Sequence, residues 1–364
     1  MNIGVPKEII PQEYRVGINP ETAQILIENG HELFIQDGAG SDSGYENADY
    51  QKIGCSILNN AEDVFGVSEL IVKVKEPSFE EVELLKDKTI FTYLHLSSSK
   101  ELTKKLLEHN VTGIAYETVD VNGELPMLKP MSEIAGRLSL LDCISLLKKN
   151  NQGKGKLISG TSLADPANIL ILGAGIVGLN ALQMSVGLGA NTTILDINKS
   201  RLNDVRAQYP EVDALVSNSE TINILLPKMD IVIGAVLTAG AKPPTLITKE
   251  MLKLMQSKSI LSDVSIDQGG CFETSKPTTH DNPTYDIDNI IHYCVKNIPS
   301  AVPFTATNAL NEATRPFILR LANNNGVKGD KELTMGLNTY KGFLTNKEVA
   351  AAHGLDYTDS EKIL

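Results

Sequence analysis

The sequence has little of several features that mark particular classes of protein. It contains no tryptophan, aromatic residues make up 5% of it, and its cysteines, Cys55, Cys143, Cys271 and Cys294, stand far apart. That spacing matches neither the paired ligands of a metal site nor a disulfide framework. We therefore expect four reduced thiols in a cytoplasmic protein that holds no metal ion.

Positive charge and long apolar runs are also scarce. The chain has 33 Lys and Arg against 45 Asp and Glu, so its net charge is −12, and such an acidic chain repels nucleic acid and anionic membranes. The longest apolar run, around Ile169–Leu182, is too short and too rich in glycine to span a bilayer. The N-terminal segment lacks the order of charged and then apolar residues that a signal peptide has. We expect neither a nucleic-acid partner nor a membrane partner.

What is present is typical of a large globular protein. The 364 residues exceed the usual size of one domain, and the hydrophobic content of 42% is ordinary for a globular protein and allows a large core. Segments typical of strands, such as Asn2–Val5, Leu70–Val74 and Thr89–Leu96, alternate with segments typical of helices. This rhythm indicates parallel sheets. We predict an α/β protein of two doubly wound domains.

Two long helices divide the chain. They are predicted over Met131–Lys149 and about Thr307–Asn323. One side of the first is formed by Leu138, Leu141, Ile144 and Leu147. A second α/β series starts between the two helices with the strand Asn168–Leu172, and short helical material at Asn346–His353 closes the chain. This order favours a second domain inserted into the first, with a simple N-terminal and C-terminal division as the alternative.

A glycine fingerprint follows the strand Asn168–Leu172. Gly173 allows a tight turn, Gly175 lets the backbone approach a pyrophosphate, and Gly178 permits close packing of a helix on the strand. The N-terminus of that helix offers N–H groups and a positive dipole end to the pyrophosphate. The pattern therefore predicts a dinucleotide site.

An acidic residue lies at the distance that the fingerprint requires. Asp196 ends the next predicted strand, where a carboxylate accepts hydrogen bonds from the ribose 2′-hydroxyl and repels a 2′-phosphate. NAD is therefore favoured over NADP. Arg201, five residues further on, weakens this preference because a cation attracts a phosphate.

Charged residues follow several predicted strands, where ligands of open α/β sheets bind. Lys75 and His95 each come at the end of a strand, Asp267 precedes a Gly-Gly turn after another, and Arg15 lies in the loop after the first. Arg15 and Lys75 suit a small carboxylate or keto acid, and His95 suits proton transfer near neutral pH. Each also has a structural interpretation, as a surface cation, a core histidine or a turn residue.

These residues lie in motifs that resemble, in order and nearly end to end, the family that alanine dehydrogenase shares with the NAD-binding subunit of proton-translocating transhydrogenase. The motifs are GVPKE from Gly4, KVKEP from Lys73, TYLHL from Thr92, AYET from Ala115, PMSEIAGR from Pro130, the glycine fingerprint, IGAVL from Ile233, IDQGG from Ile266, PTT from Pro277 and YCVKN from Tyr293.

The resemblance implies oxidative deamination of L-alanine to pyruvate and ammonia by a homohexamer that uses NAD. It implies that residues 130–303 form a Rossmann NAD-binding domain inserted into a substrate domain of residues 1–129 and 304–364. It also implies that Arg15 and Lys75 hold the substrate, and that His95 and Asp267 are the acid/base pair. The implied cofactor contacts are Ser132, Gly173, Gly175, Ile176, Val177, Gly178, Asp196, Arg201, Ser217, Val236, Leu237, Ile266, Asp267, Lys276, Val295, Asn297 and Ile298.

Three places depart from the family pattern. Ile158–Asp165 replaces a Gly-Val-Pro-Gly type of turn, Phe304 stands where relatives often have a basic residue, and Lys276 stands where some have Arg. Three alternatives remain open: a transhydrogenase subunit, a dehydrogenase for another small amino acid, and an NAD-binding protein without catalysis.

Overall fold

The computed structural model describes residues 1–236 and 243–364. The chain divides into two compact units, which we call the first unit (Met1–Met131 with Ser300–Leu364) and the second unit (Ser132–Pro299). The first unit is thus built from both ends of the chain and the second from its middle. Each contains a mostly parallel sheet with helices, which confirms the predicted α/β class.

Helices and strands alternate through most of the chain. The strands are β1 (Asn2–Val5), β2 (Glu32–Gln36), β3 (Ser56–Leu58), β4 (Leu70–Val72), β5 (Thr89–Thr92), β6 (Thr112–Ala115), β7 (Asn168–Leu172), β8 (Asn191–Asp196), β9 (Asp213–Val216), β10 (Ile231–Gly234), β11 (Ile260–Asp263), β12 (Thr284–Ile287), β13 (Ile290–Tyr293), β14 (Leu337–Tyr340) and β15 (Phe343–Leu344). The helices are α1 (Pro20–Glu28), α2 (Asn47–Lys52), α3 (Ala61–Val67), α4 (Phe79–Leu84), α5 (Lys100–Glu108), α6 (Leu128–Leu146), α7 (Ile176–Gly187), α8 (Lys199–Gln208), α9 (Ser219–Leu225), α10 (Pro303–Asn323), α11 (Lys331–Gly336) and α12 (Lys347–His353).

The sheet of the first unit has the order β15-β14-β6-β5-β4-β1-β2-β3. Strands β1 to β6 pair in parallel, whereas β14 pairs antiparallel to β6, and β15 antiparallel to β14. Because β1, β4 and β5 are neighbours and parallel, the loops after them begin at one edge of the sheet. Those loops contain Arg15, Lys75 and His95.

Local signals explain where helices of the first unit begin. The Asn19 side chain accepts a hydrogen bond from Thr22 N–H, and Pro20 occupies the first turn of α1. Helix α4 begins with a capping box, in which Ser78 and Glu81 each accept a hydrogen bond from the other's backbone N–H. This cap ends the loop that contains Lys75.

The sheet of the second unit has the order β12-β13-β11-β10-β7-β8-β9, and β12 is its antiparallel edge strand. Strand β7 is central: Ile169 and Ile171 pack into the core on one face, and Leu170 and Leu172 pack into the core on the other. The chain continues from β7 to β8 on one side and returns through β10 on the other. Such a reversal of strand order is where doubly wound sheets bind dinucleotides.

Helix α6 departs from its predicted apolar side at one residue. Leu141 is 42% exposed, whereas Leu138 and Ile144 are partly buried and pack against apolar core clusters, and Leu147, just beyond the end of the helix, is buried. Leu140 and Cys143, three residues apart, are also buried and lie on one face of the helix. Buried Ser139, beside them, is satisfied by donating its hydroxyl to Gly136 O.

In residues 1–236 and 243–364 we find no helix with both the length and the apolar composition needed to cross a bilayer.

Candidate functional site

Arg15 is the most buried of the predicted substrate cations. Its side chain lies in the loop after β1, is almost completely buried, and forms a two-point ion pair with Glu13: Nε to Oε1 at 2.6 Å and Nη2 to Oε2 at 2.5 Å. Nη1 lies 3.0 Å from Met131 Sδ. Burial alone would lower the pKa of Arg15, but the Glu13 carboxylate raises it. The guanidinium is therefore charged and fixed in orientation.

A buried ionic cluster anchors the chain where Lys75 emerges. Glu8 Oε1 accepts the N–H of Val74 at 2.6 Å and that of Lys75 at 3.4 Å. Lys73, which is completely buried, places Nζ 2.6 Å from Glu81 Oε1 and 3.5 Å from Glu8 Oε2. Burial, the largest influence, raises the pKa of Glu8, and the Lys73 ammonium opposes it. These hydrogen bonds and ion pairs fix the backbone of the loop after β4.

The Lys75 carbonyl is held as well, since it accepts a hydrogen bond from Thr92 Oγ1 at 2.9 Å. Thr92 ends β5, so the loops after β4 and β5 are tied together at this point. Lys75 itself is partly exposed. Its backbone is therefore fixed while its side chain is accessible.

His95 lies three residues beyond β5 in a left-handed conformation, with φ 47° and ψ 34°. Glu117 supports this unusual backbone, because its Oε1 accepts the His95 N–H at 2.6 Å and the Leu94 N–H at 3.1 Å. The His95 Nδ1 atom is 3.1 Å from Glu76 Oε2, and the side chain is 42% exposed. The Tyr93 ring stacks on the imidazole with centroids 5.9 Å apart.

The first unit thus brings three of the predicted residues into one region. Arg15 lies close enough to Tyr93 for its positive charge to oppose the rise in the pKa of Tyr93, and Tyr93 stacks on His95. The positive charge of Lys75 works in the same way to lower the pKa values of both His95 and Glu76. Sequence reasoning missed the carboxylates that hold these groups. Glu13 lies two residues before Arg15, and Glu76 directly follows Lys75.

The glycine turn of the second unit has the geometry of a phosphate cradle. Gly173 has φ 109°, and an added Cβ would lie 2.5 Å from Ala235 O. A Cβ on Gly178 would lie 1.8 Å from Gly173 O, whereas a Cβ on Gly175 would meet nothing within 4 Å. Gly175 is the N-cap of α7 and precedes exposed Ile176 and half-buried Val177. The backbone before α7 is thus bare, as pyrophosphate binding requires.

Asp196 sits beside this turn at the end of β8. Its Oδ2 accepts the N–H of Ala174 at 2.6 Å, and its Oδ1 accepts the N–H of Asn198 at 2.7 Å. Arg201 Nη1 is 3.9 Å from Oδ2, so this cation already has an anionic neighbour. Ser217, after β9, donates its N–H to the Asp196 carbonyl at 3.0 Å.

Asp267 lies in a 3-10 helix, Val264–Gln268, directly after β11, and is exposed. Buried Asp263 organises this loop, since its carboxylate accepts hydrogen bonds from Ser265 N–H at 3.0 Å, Cys271 N–H at 2.8 Å and the Ser275 hydroxyl at 2.5 Å. Sequence reasoning missed Asp263, although an acid that ends a buried strand before a Gly-Gly turn is a recognisable signal.

The other predicted cofactor residues are distributed over the second unit. Val236 accepts the Ser265 hydroxyl at 2.7 Å through its carbonyl, and the N–H of exposed Lys276 donates to Tyr285 Oη at 2.7 Å. Asn297 has φ 57°. The remaining positions are half-buried Ser132 in α6 and buried Ile266, Val295 and Ile298. Leu237 lies outside the described residues.

The departures from the family pattern have local structural explanations. Ile158–Asp165 contains a tight turn in which Thr161 pairs with Ala164, and Gly160 has φ 60°. Phe304, in the first turn of α10, stacks on Tyr45 with ring centroids 5.7 Å apart.

Across the described ranges, no group of three or more His, Cys, Asp or Glu is arranged to hold a metal ion.

Known proteins match the chain over its full length. The family model described as "Alanine dehydrogenase/PNT, N-terminal domain" matches residues 4–135, and "Alanine dehydrogenase/PNT, C-terminal domain" matches residues 140–347. An alanine dehydrogenase of Methanococcus maripaludis is 46% identical and covers 100% of both chains. One of Staphylococcus haemolyticus is 44% identical, covering 100% of this chain and 99% of that one.

Solved structures agree. An L-alanine dehydrogenase superimposes with a TM-score of 0.94 at 42% identity, covering 97% of this chain and 99% of the other. A transhydrogenase from Sinorhizobium meliloti superimposes with a TM-score of 0.82 at 20% identity, covering 95% and 99%, which shows a shared fold. Together with both family models, the relatives above 40% identity show that the chain belongs to the alanine dehydrogenase/PNT family.

Proposed function

We propose that the protein catalyses the reversible, NAD-dependent oxidative deamination of L-alanine: L-alanine, NAD⁺ and water give pyruvate, ammonium, NADH and a proton. The observation that carries this proposal is the group of Arg15, Lys75 and His95 at one edge of the first-unit sheet, in a chain 42–46% identical to alanine dehydrogenases. Hydride transfer between two nucleotides, the transhydrogenase reaction, needs no such cations. The group therefore favours an amino-acid substrate.

The second unit suits the cofactor. The bare backbone from Gly173 to Gly178 and the N-terminus of α7 fit a pyrophosphate, and Asp196 fits a ribose with a free 2′-hydroxyl. Arg201 lies 3.9 Å from the Asp196 carboxylate, so its charge is partly balanced, which supports NAD over NADP. When bound, NAD⁺ supplies the hydride acceptor. The other implied contacts, including Leu237, belong to the same proposal.

The first unit suits the substrate. Arg15 presents a charged, fixed guanidinium for the carboxylate, and Lys75 offers an accessible ammonium from the loop after the neighbouring strand. His95 and Asp267 are the proposed acid/base pair. Water must lose a proton as it adds to the oxidised, iminium form of the substrate, and the amine must gain one as it leaves, and both transfers suit groups of this kind.

The test is a substrate panel followed by absorbance at 340 nm. L-alanine with NAD⁺ should form NADH, pyruvate with ammonium should consume it, and NADP⁺ should be at least about tenfold poorer, equivalent to about 1.4 kcal/mol. A larger amino acid as the best substrate would point to a related dehydrogenase, because one methylene changes discrimination by only about 1–3 kcal/mol. Hydride exchange between nucleotides without amino-acid turnover would indicate the transhydrogenase reaction.

A pair of histidine variants tests the catalytic assignment. His95→Ala should reduce kcat by about 10²–10⁴-fold, the usual contribution of a positioned acid or base. His109→Ala is the control, because His109 also pairs with a glutamate, Glu83, at the far end of α5. Near-normal kcat in His95→Ala, with an unchanged pH profile, would refute the assignment.

The family resemblance also supports the wider proposal. It assigns residues 1–129 and 304–364 to a substrate domain and residues 130–303 to a Rossmann NAD-binding domain, and it favours a homohexamer. The spacing of the four cysteines favours the cytoplasm. Light scattering on the purified protein measures the oligomer: six times the chain mass of 39.4 kDa is expected, and a monomer would contradict it.

A further inference from the structure

His95 is bound to carboxylates on two sides. Glu117 accepts hydrogen bonds from the backbone N–H groups of Leu94 and His95, whereas Glu76 reaches the ring itself, with Oε2 3.1 Å from Nδ1. Glu117 thus fixes the backbone, and Glu76 fixes the imidazole. The proposed function gives Glu76 no role.

The sheet explains why Glu76 meets His95. Strands β4 and β5 are parallel neighbours in which Val72 pairs with Phe91. Glu76 lies four residues after Val72, and His95 lies four residues after Phe91. The two side chains therefore come from equivalent positions beyond the same edge of the sheet, and the buried cluster that anchors Val74 and the Thr92 bond to Lys75 O fix the loops between.

We propose that Glu76 is a positioning residue for His95: its carboxylate holds Nδ1–H, so that Nε2 is the nitrogen that exchanges a proton during the reaction. In neutral histidine one ring nitrogen is a donor and the other an acceptor, and the partner of the first decides the tautomer. An ionised carboxylate is only an acceptor, so it selects the tautomer whose Nε2 has a free lone pair. This inference rests on the proposed deamination.

The charges around the ring agree with this role. Glu76 and Glu117 face His95 with negative charge, and Lys75 faces it with positive charge; the Tyr93 ring covers one side. From α12, His353 Nε2 bonds the adjacent Leu96 carbonyl. Burial would lower the pKa of His95, but the Glu76 hydrogen bond and the Glu117 charge together raise it. His95 therefore remains protonated to higher pH than an isolated histidine.

Glu76 is itself kept ionised. Burial would raise its pKa, but the hydrogen bond and charge of His95, with the charge of Lys75, lower it to about 2. It is thus a carboxylate throughout the working pH range. Its negative charge stabilises the imidazolium that forms whenever His95 accepts a proton.

The experiment compares wild type with Glu76→Gln and Glu76→Ala. Hydrogen–deuterium exchange at the imidazole C2 position, read by mass spectrometry, gives the titration midpoint of each histidine without requiring activity. The pH profile of kcat/KM for L-alanine is measured alongside. Glu83→Gln is the matched control, because Glu83, whose side chain is 57% exposed, bonds His109 Nε2 through Oε2 at 2.7 Å.

We expect both Glu76 variants to lower the midpoint of His95 and to move the acid limb of the profile to lower pH. Glu76→Ala should also reduce the plateau kcat at least about tenfold, within the range that a positioned acid/base contributes, with KM changed less than about threefold, since Arg15 and Lys75 are untouched. Glu76→Gln, which is isosteric, guards against misfolding in the alanine variant. Glu83→Gln should lower only the midpoint of His109.

Two results would overturn the proposal: an unchanged His95 midpoint in Glu76→Gln, or unchanged kcat and pH profile in Glu76→Ala. The first of these results, if kcat is nevertheless lost, would mark Glu76 as structural only. Wild-type protein that oxidises no amino acid would instead refute the proposed function. In that case, a lowered midpoint would still establish the Glu76–His95 pair.

Discussion

Three glycines around α7 differ in what an added methyl group would meet, and this difference separates packing from cofactor binding. At Gly178 a Cβ would lie 1.8 Å from Gly173 O. Ordinary contact begins at about 3.4 Å, so helix and turn must move apart by well over an ångström. Overpacking of this kind costs about 1–3 kcal/mol. We expect Gly178→Ala to lower the midpoint of urea unfolding accordingly.

For Gly175 we expect the opposite combination of effects, which is unchanged stability with weaker binding of the cofactor. Its Cβ would meet nothing within 4 Å and its φ is −82°, so alanine fits without strain. The added methyl group would instead occupy the surface that a pyrophosphate approaches. Gly175→Ala should therefore unfold like wild type, while its Kd for NADH, measured by fluorescence titration, rises at least about tenfold, or about 1.4 kcal/mol.

Gly187, the last residue of α7, is the control. Its Cβ would also meet nothing within 4 Å, and it lies at the opposite end of the helix from the turn. Gly187→Ala should leave the NADH affinity unchanged and stabilise the protein by up to about 1 kcal/mol. Unchanged NADH binding in Gly175→Ala, with the fold intact, would refute the assignment of this turn to the cofactor.

Three further changes probe charges. Glu13→Ala removes the carboxylate from buried Arg15 and should destabilise the protein by about 3–5 kcal/mol in urea unfolding; a loss below 1 kcal/mol would show that the pair is dispensable. Asp196→Asn removes the charge that repels a 2′-phosphate and should raise the NADP/NAD ratio of kcat/KM about tenfold, so an unchanged ratio would count against Asp196. The ion pair of Glu76 and His95 should stabilise the fold fully between the usual pKa values of about 4.5 and 6.5. This contribution is lost as pH falls towards 2 and as it rises through the raised pKa of His95. Because the pair is partly exposed, it contributes only about 0–1 kcal/mol, and unfolding of Glu76→Gln across pH 3–9 measures it.

Local sequence patterns predicted where the central strands of both sheets lie, and for one of these strands they also predicted both ends. The strand before the glycine turn has exactly the predicted bounds, Asn168–Leu172, because four consecutive apolar residues and a glycine leave little alternative. The predicted strands Leu70–Val74 and Thr89–Leu96 end earlier, at Val72 and Thr92. Glu8 and Glu117 bond the backbone beyond these points, and such distant contacts have no local signal.

The C-terminal hairpin was missed for a related reason. Strands β14 and β15 are joined by Lys341 and Gly342, both with positive φ (48° and 80°), as in a two-residue type I′ turn. Such turns are recognised by Asn-Gly or Asp-Gly, and Lys-Gly is an unusual variant. The strands themselves are four and two residues long, too short for alternation to show.

The partners of the site were the hardest features to predict. Arg15, Lys75 and His95 stand out because each follows a strand, whereas nothing local distinguishes Glu76, which lies between Lys75 and Pro77. Its role depends on the parallel register of β4 and β5, in which Val72 faces Phe91. Once that register is known, equal offsets along the two strands place Glu76 beside His95. The signal is the equal distance of Glu76 and His95 from a pair of facing residues on two strands, so neither segment shows it alone.

The charges of the first-unit site couple its proton state to its ligand. The charges that face the ring are one cation and two carboxylates: Lys75, Glu76 and Glu117. With His95 neutral the group is negative, and with His95 protonated it is neutral. Under the proposed function, zwitterionic alanine is indifferent to this change, whereas the pyruvate anion is bound better when His95 carries its proton. The protonated form of His95 is also the form that can donate a proton during reductive amination. Because the Glu76 carboxylate raises the pKa of His95, it favours the state that both binds pyruvate better and holds the proton that the reaction requires.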